Sequence, residues 1–302
     1  MNSHKYTSIL ARLLMLTLVT CLPLRTGAEE PQHLRVVTWN IEWFPGRTPQ
    51  PTARAEAAHR EDVAEYLPTL EPDILMLQEI RNREAAQFLV DQFPGLELHV
   101  VSTFQRPDPR ISQQIVIASS FKALESYEER FTGEAYDYGD EEPYRGYVFT
   151  ALESPFGGTL LVYAVHLKSN WGERDVNIAM RESGARQILK HVARKEARYA
   201  DRGPIQVIIG GDLNVRLNLE DLEDERTIDI FTEAGFHSSW QTVPFEERIT
   251  WPPRGGFPPA CFDYIFTKGL PALTAEILLK PAWALSDHRP VLLSIPRNKQ
   301  TN

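Results

Sequence analysis

Eight short runs of apolar residues recur along the chain, and polar segments separate them. They are rich in β-branched and aromatic side chains and cover residues 34–39, 74–77, 115–118, 147–152, 160–165, 207–209, 264–266 and 291–295. Continuous apolar character over such short stretches is typical of strands that are buried on both faces. The pattern therefore predicts about eight strands in sheets that pack face to face.

Two longer segments show helical periodicity instead. Residues 52–67 are rich in Ala and Glu and stop near Pro68, while residues 177–199 place apolar side chains on one helical face. Loops are predicted where proline and acidic residues cluster, at 106–110, 133–143 and 251–259. No long Gly/Ser linker or repeat interrupts this order, so we expect one α/β domain over residues 29–302.

A polar cluster follows almost every predicted strand. The five clusters are Trp39-Asn40-Ile41-Glu42, Gln78-Glu79-Ile80-Arg81, His166-Leu167-Lys168-Ser169-Asn170, Gly211-Asp212-Leu213-Asn214 and Ser286-Asp287-His288-Arg289. A single cluster of this kind is usually a turn. Five clusters rich in metal-binding and proton-transferring groups indicate a shared cleft, provided that the strand ends converge.

The side chains of these clusters suit a hard divalent cation. The candidate ligands are Asn40, Glu79, Asp212, Asn214 and Asp287. Carboxylate and amide oxygens favour Mg²⁺, with Mn²⁺ or Ca²⁺ as alternatives, whereas the histidines lack the close spacing of a zinc motif. A carboxylate-bound cation with neighbouring histidines is suited to displacement at phosphorus.

The N-terminal segment has the composition of an export signal. Residues 1–28 contain three basic residues and no acid around an apolar stretch, and they end on Thr26-Gly27-Ala28. The apolar stretch is short and interrupted compared with the roughly 20 residues of a membrane span. We therefore expect a secreted or periplasmic protein, with a retained anchor or lipidation at Cys21 as the alternatives.

Charge limits the functions that remain. The net charge is −9, and removal of residues 1–28 leaves 29 basic against 41 acidic side chains, a net charge of −12. Such a chain lacks the basic surface that binds nucleic acid by counterion release, so phosphate chemistry here needs a metal ion or a few placed arginines. Only Cys261 remains after residue 28, and no disulfide can form within the mature chain.

At the polar clusters, in order from Thr38 to Leu292, the sequence resembles the endonuclease/exonuclease/phosphatase superfamily, and its deoxyribonuclease I branch in particular. This resemblance implies a four-layered α/β sandwich, in which two packed mixed β-sheets are flanked by helices. It also implies hydrolysis of phosphodiester bonds by metal-assisted in-line attack of water.

Residue by residue, the resemblance implies a metal site and a set of catalytic groups. The metal site comprises Asn40, Glu79 and Asp287, with Glu42 where exonuclease III relatives can carry an acid. The implied catalytic residues are His166, Asp212, Asn214, Asp263 and His288. Asp263 would orient His288 and raise its basicity, Asp212 and Asn214 would orient water and hold the phosphate, and His166 would protonate the leaving group or contact the phosphate.

The resemblance also implies the substrate contacts Arg81, Arg145, Lys168 and Asn170. Guanidinium groups suit bidentate phosphate contact. One position departs from the deoxyribonuclease I branch, because Gln113 replaces the glutamate that supports the second histidine there. A protonated His166 is then less well stabilised.

We interpret the sequence as a secreted, metal-dependent endonuclease that cuts DNA, with RNA as a further substrate. It is expected to be a monomer without stable membrane association. One alternative is the same chemistry on a phospholipid such as sphingomyelin or on an inositol phosphate, with Phe257 in the 251–259 loop as a candidate membrane contact. Another is a non-catalytic binding module of the same fold. Trp39, Trp43 and Trp171 are interpreted as packing residues.

Overall fold

The computed structural model describes residues 33–297, except 107, 109–110, 112, 138–142, 217–223 and 280–281. The predicted export signal and Cys21 lie outside the described residues. No helix in the described ranges is both long and apolar enough to cross a membrane.

Each of the eight predicted apolar runs lies in a strand. The strands are β1 (His33–Phe44), β2 (Ile74–Ile80), β3 (Glu97–Val101), β4 (Gln114–Ser119), β5 (Ala123–Arg130), β6 (Gly146–Glu153), β7 (Thr159–His166), β8 (Ile205–Asp212), β9 (His237–Ser238), β10 (Asp263–Lys268), β11 (Glu276–Ile277) and β12 (Val291–Pro296). The four that the apolar pattern missed are β3, β5, β9 and β11. Strand β5 was missed because all eight of its residues are half-buried and four are charged, so it has no continuous apolar run.

The strands form two six-stranded sheets. The first sheet has the order β11-β12-β1-β2-β4-β3, and the second has the order β5-β6-β7-β8-β10-β9. Within each sheet one central pair is parallel, β1 with β2 and β7 with β8, and the other pairs are antiparallel. Both sheets are therefore mixed, as expected.

The helices cover the two sheets from outside. They are α1 (Ala53–Tyr66), α2 (Arg83–Val90), α3 (Arg174–Tyr199), α4 (Thr227–Glu233) and α5 (Ala282–Leu285), with short 3₁₀ turns at Leu67–Leu70, Glu134–Tyr136, Ala200–Arg202 and Phe245–Glu247. Helices α1 and α2 contact the first sheet, and α3 and α4 contact the second. The four-layered α/β sandwich is confirmed. The two predicted helices correspond to α1, which Thr52 caps by accepting from the Ala55 amide, and to α3, which starts three residues earlier than expected.

The core between the sheets brings β2 and β8 very close together. Gly210 of β8 faces Met76 of β2, and a Cβ added at Gly210 would overlap the Met76 side chain. At Gly211, with φ of +142°, an added Cβ would overlap the Val165 carbonyl of the neighbouring strand. The two glycines before Asp212 thus allow β8 to lie close to both neighbours at the point where the polar cluster begins.

Candidate active site

Three polar side chains lie in one row across the end of the second sheet. His166 ends β7 and is paired in register with Asp212, which ends β8. Asp263 begins the antiparallel strand β10 and is also paired with Asp212. The ends of three adjacent strands therefore place these groups side by side, as the strand-end pattern predicted.

The first sheet supplies the opposite side of the site. Asn40 Nδ2 donates to Glu79 Oε1 at 3.1 Å and to Asp212 Oδ2 at 3.0 Å, so one amide connects the two sheets. Glu79 Oε2 accepts from the Trp43 backbone amide at 3.0 Å. The structure thus brings Asn40 and Glu79 together with the row of the second sheet.

His288 and Asp263 form a buried dyad. The distance between His288 Nδ1 and Asp263 Oδ2 is 2.8 Å, and Asp263 is fully buried. His288 Nε2 lies 3.8 Å from Asp212 Oδ2. Burial lowers the pKa of His288, but the carboxylates of Asp263, Asp212 and Asp287 outweigh it and hold this pKa well above its ordinary value.

His166 has the opposite electrostatic environment. Its Nε2 lies 3.5 Å from Asp212 Oδ2 and 3.9 Å from Glu79 Oε1. Burial, followed by the positive charge of Arg145, lowers its pKa well below the ordinary value, so the ring is neutral at pH 7. Within the described parts of the chain no partner hydrogen-bonds to His166 Nδ1. Gln113, which stands where the deoxyribonuclease I branch has a supporting glutamate, lines the same cavity as His166. Its neutral amide provides no negative charge to stabilise a protonated His166.

Asp212 is held between the two histidines by its own loop. The Asn214 backbone amide donates to Asp212 Oδ1 at 2.9 Å, and Asn214 Nδ2 donates to the Leu167 carbonyl at 3.2 Å. Asn214 has a left-handed backbone with φ of +56°. Burial raises the pKa of Asp212 above its ordinary value, and the neighbouring His288 opposes this shift.

Glu79 and Asp287 fit a divalent cation. Burial, and then the charge of Asp287, raise the pKa of Glu79, which identifies two carboxylates that repel each other across the site. A bound cation would relieve this repulsion, and oxygen donors are the ligands that Mg²⁺, Mn²⁺ and Ca²⁺ prefer. Asp212, Asp263 and His288 also place one ligand-type atom each within 4.8 Å of one another, although the dyad hydrogen bond already uses His288 Nδ1.

An open cavity of about 350 Å³ is lined by Glu79, Asp287, Asp212 and both histidines. Its walls combine acidic, basic and aromatic side chains and include Trp43, Glu79, Arg106, Gln113, Arg145, His166, Ser169, Trp171, Asp212, Asn214, Trp251, Phe262, Asp287 and His288. Arg145 is buried and donates to the His166 carbonyl at 3.1 Å. Arg106 stacks on the Tyr144 ring at 4.6 Å. Sequence reasoning missed Arg106, which lies in a loop without a motif.

Two residues expected at the site are directed elsewhere. Arg81 forms an ion pair with Glu56 at 2.8 Å and donates to the Pro45 carbonyl, and it does not line the cavity. Glu42 is held by two arginines, with Arg47 2.6 Å from Oε2 and Arg254 2.7 Å from Oε1. Both oxygens of Glu42 are thus already paired with cations, which disfavours its service as a metal ligand.

Lys168 and Asn170 hold the protein's own backbone. Lys168 Nζ donates to the carbonyls of Ser169 at 2.9 Å and Trp171 at 2.5 Å, and burial lowers its pKa to about 8. Asn170 Nδ2 donates to the Asn214 carbonyl at 2.8 Å. The structure therefore gives these two residues a role in fixing the loop after β7, outside the cavity lining.

The three tryptophans interpreted as packing residues differ in their surroundings. Trp39 is fully buried and donates from its indole nitrogen to the His288 carbonyl, so the packing interpretation is confirmed for it. Trp43 is half-buried and lines the cavity. Trp171 is 86% exposed, so the packing interpretation is wrong for it.

Comparison with solved structures gives the same fold. An endonuclease/exonuclease/phosphatase from Beutenbergia cavernae DSM 12333 aligns with a TM-score of 0.64 at 17% identity, covering 88% of this chain and 72% of that chain. Beta toxin from Staphylococcus aureus aligns with a TM-score of 0.63 at 18% identity, and the alignment covers 87% of this chain and 99% of that chain. TDP2 from D. rerio, complexed with a single strand DNA product, aligns with a TM-score of 0.59 at 18% identity. This alignment covers 87% of this chain and 99% of that chain. No curated protein sequence matches this chain.

At these identities the structural likeness shows the shared fold alone. The family comes from the sequence itself, because the model of the Endonuclease/Exonuclease/phosphatase family matches residues 37–288. That range spans every strand end that contributes to the cavity. The chain therefore belongs to the Endonuclease/Exonuclease/phosphatase family.

Proposed function

We propose that this protein is a metal-dependent phosphodiesterase that cuts nucleic acid, with DNA as its first substrate and RNA as a further one. The observation that carries the proposal is the position of Asp212, which lies within 4 Å of both His166 and His288. The chain's family consists of hydrolases of phosphoester bonds that use divalent metals. Carboxylates, two histidines and a buried arginine in one open cavity are the groups that such chemistry needs.

The metal is proposed to be Mg²⁺, with Mn²⁺ or Ca²⁺ as alternatives. Glu79 and Asp287 would hold it, with Asn40 supporting Glu79 through its amide. When bound, the ion neutralises negative charge that develops on the phosphate oxygens. Glu42 is a weaker candidate ligand because Arg47 and Arg254 neutralise it.

The chain's own residues divide the proton transfers. The resemblance implied that His166 protonates the leaving group, but its lowered pKa favours the opposite role. We propose that the neutral ring accepts a proton at Nε2, the atom that faces Asp212 and Glu79. His288 holds its proton, because Asp263 supports it from behind, and can donate from Nε2. Asp212 and the Asn214 loop fix the position of the reacting groups between them.

Nucleic acid is favoured by the positive charges in the cavity. Arg145 and Arg106 line the wall next to His166, where they supply the local positive charge that the acidic chain otherwise lacks. Among the structural neighbours, TDP2 from D. rerio is complexed with a single strand DNA product. Both observations support a phosphodiester of nucleic acid as the substrate.

A phospholipid is the second candidate, and one observation favours it. Phe257 is 56% exposed and packs against Trp251, a residue of the cavity wall, with ring centroids 6.3 Å apart. An exposed aromatic side chain beside the site can contact a lipid surface.

Export to the periplasm or the medium is also proposed, from the composition of residues 1–28.

A substrate panel tests the proposed function. The purified protein is incubated with plasmid DNA, single-stranded DNA, RNA, sphingomyelin vesicles and inositol phosphates in Mg²⁺, Mn²⁺ or Ca²⁺. The proposal is supported if the wild type cleaves DNA and this cleavage is lost both on addition of EDTA and in the Asp212→Asn variant. Failure to cleave any nucleic acid with any of the three metals refutes it, and cleavage of sphingomyelin alone identifies the second candidate.

A further inference from the structure

An exposed tryptophan lies on the wall of the cavity. Trp171 is 86% exposed, although it lines the same cavity as Asp212 and His288. In the parts of the chain that the structure describes, no aromatic ring stacks on Trp171 and no cation lies over its ring. Tryptophan has more apolar surface to gain from burial than most residues, so its exposure at this point needs an explanation.

The loop that carries Trp171, residues 167–172, is firmly held. Lys168 Nζ binds two carbonyls of the loop, and one of them belongs to Trp171 itself. Asn170 donates to the Asn214 carbonyl, next to the strand end that carries Asp212. Arg181 of α3 donates to the Lys168 carbonyl at 2.9 Å.

Arg181 is itself fixed by a fully buried ion pair. Its Nε and Nη2 atoms are each 2.7 Å from an oxygen of Glu225, and neither side chain is accessible to solvent. Such a bidentate pair is geometrically specific. The backbone of the loop is therefore anchored by hydrogen bonds, whereas the Trp171 indole remains exposed to solvent.

We propose that Trp171 is a stacking platform for an unpaired nucleobase next to the scissile phosphate, so that the substrate is single-stranded nucleic acid. The inference rests on the proposed nuclease function. Arg145 and Arg106 line the same cavity and supply the charge for the phosphate of that nucleotide. A base inside a duplex is stacked on both faces, whereas an unpaired base can place one face on an aromatic side chain.

The residues around Trp171 favour a base over a lipid surface. Glu173 and Asp175 follow it closely and are both exposed, and the side chain of Asp175 is 88% exposed. Insertion of Trp171 into a bilayer interface would bring these carboxylates toward the headgroups and desolvate them. A single base on the indole leaves both carboxylates in water.

A cycle of protein and substrate changes tests the proposal. Wild type, Trp171→Ala and Trp171→Phe are assayed in Mg²⁺ on a 12-nucleotide thymidine oligomer and on an abasic 12-mer with the same backbone and charge. We expect Trp171→Ala to raise KM for the thymidine oligomer about tenfold and for the abasic oligomer less than twofold. Trp171→Phe, which keeps an aromatic face, should recover most of the loss.

Leu279→Ala is the matched control, because Leu279 is 57% exposed and lies outside the cavity. It should leave both KM values at those of the wild type. The wild type should also cut the single-stranded thymidine oligomer faster than the same oligomer in a duplex. The ratio of these two rates should be smaller in the Trp171→Ala variant.

The outcomes separate this inference from the proposed function. If the wild type cuts nucleic acid but Trp171→Ala has equal effects on the thymidine and abasic oligomers, only the stacking platform is refuted. If Trp171→Ala instead lowers binding to sphingomyelin vesicles and leaves the thymidine oligomer unaffected, Trp171 is a lipid contact and the inference is overturned. If the wild type cuts no oligomer at all, the proposed function and this inference both fail.

Discussion

Replacing Asp263 by asparagine isolates the charge behind His288. Asp263 is fully buried, and its Oδ2 lies 2.8 Å from His288 Nδ1. Asparagine has nearly the same volume and keeps an oxygen that can accept from the ring, so the substitution removes charge with little change in shape. Asp201→Asn, at an exposed position in the Ala200–Arg202 turn, is a control with the same change in net charge.

The contact geometry gives the expected size of the effect. A nitrogen–oxygen distance of 2.8 Å places the charge centres of imidazolium and carboxylate about 4 Å apart, which at an effective dielectric constant of about 20 gives about 4 kcal/mol. This energy equals about three pKa units. Asp212 and Asp287 keep part of the raised pKa of His288 in the variant. We therefore expect the pKa of His288 to fall by about two to three units and kcat to fall about 10³-fold.

The sign of the pH dependence follows from the direction of this shift. In the wild type, Asp263 and its neighbours hold the pKa of His288 well above the ordinary value, so the donated proton is present at neutral pH and is lost only on the alkaline side. Asp263→Asn should move this alkaline limb of the kcat/KM profile to lower pH. A titration of the His288 Cε1 proton by NMR measures the same shift without turnover.

Two results would refute the reasoning. An alkaline limb at the same pH in wild type and variant would show that Asp263 does not set the protonation of His288. A loss of activity below tenfold, with melting temperatures that agree within a few degrees, would show that the dyad charge contributes little to the reaction. A comparable loss in Asp201→Asn would point to net charge in place of the dyad.

Three further predictions concern the metal, the substrate and the fold. Glu79→Gln should lower Mn²⁺ affinity, measured by calorimetry, more than tenfold, and an unchanged affinity would remove Glu79 from the metal site. The melting temperature should change little, because relief of carboxylate repulsion offsets the loss of one hydrogen bond that Glu79 accepts from Asn40 or Trp43. Arg145→Ala should raise KM about tenfold and Arg81→Ala less than twofold in steady-state assays, since only Arg145 lines the cavity, and equal increases would contradict this placement. Arg181→Met should cost about 3–5 kcal/mol in urea unfolding, and Arg181→Met with Glu225→Leu should recover most of it; a double variant as unstable as the single one would argue against a buried pair.

The strands were predictable where burial on both faces leaves a continuous apolar run. The central strands β1, β2, β7 and β8 have such runs, and all four lie in the middle of their sheets. Edge strands do not have this signature. Strand β5, at the edge of the second sheet, has only half-buried residues, four of them charged, and β9 and β11 have only two residues each.

The convergence of the polar clusters was predictable because strand ends meet at one edge of a sheet. The sequence could not show which side chains turn away from it. Arg81 pairs with Glu56 of α1, and Glu42 pairs with Arg254, more than 200 positions later in the chain. These partners come from packing of distant segments, for which no local motif exists. Arg106 was missed for the same reason, since only the fold brings its loop to the cavity wall.

The close contact between Met76 and Gly210 has a consequence for how the chemistry could be tuned. Glu79 follows three residues after Met76 on one sheet, and Asp212 follows two residues after Gly210 on the other. An apolar contact between the sheets therefore lies within three residues of the carboxylate on each side, and the Asn40 amide joins the two carboxylates. A larger or smaller side chain at position 76 would change the distance between the sheets at this contact and shift Glu79 relative to Asp212. Turnover can therefore differ among relatives because of apolar residues that never contact the substrate.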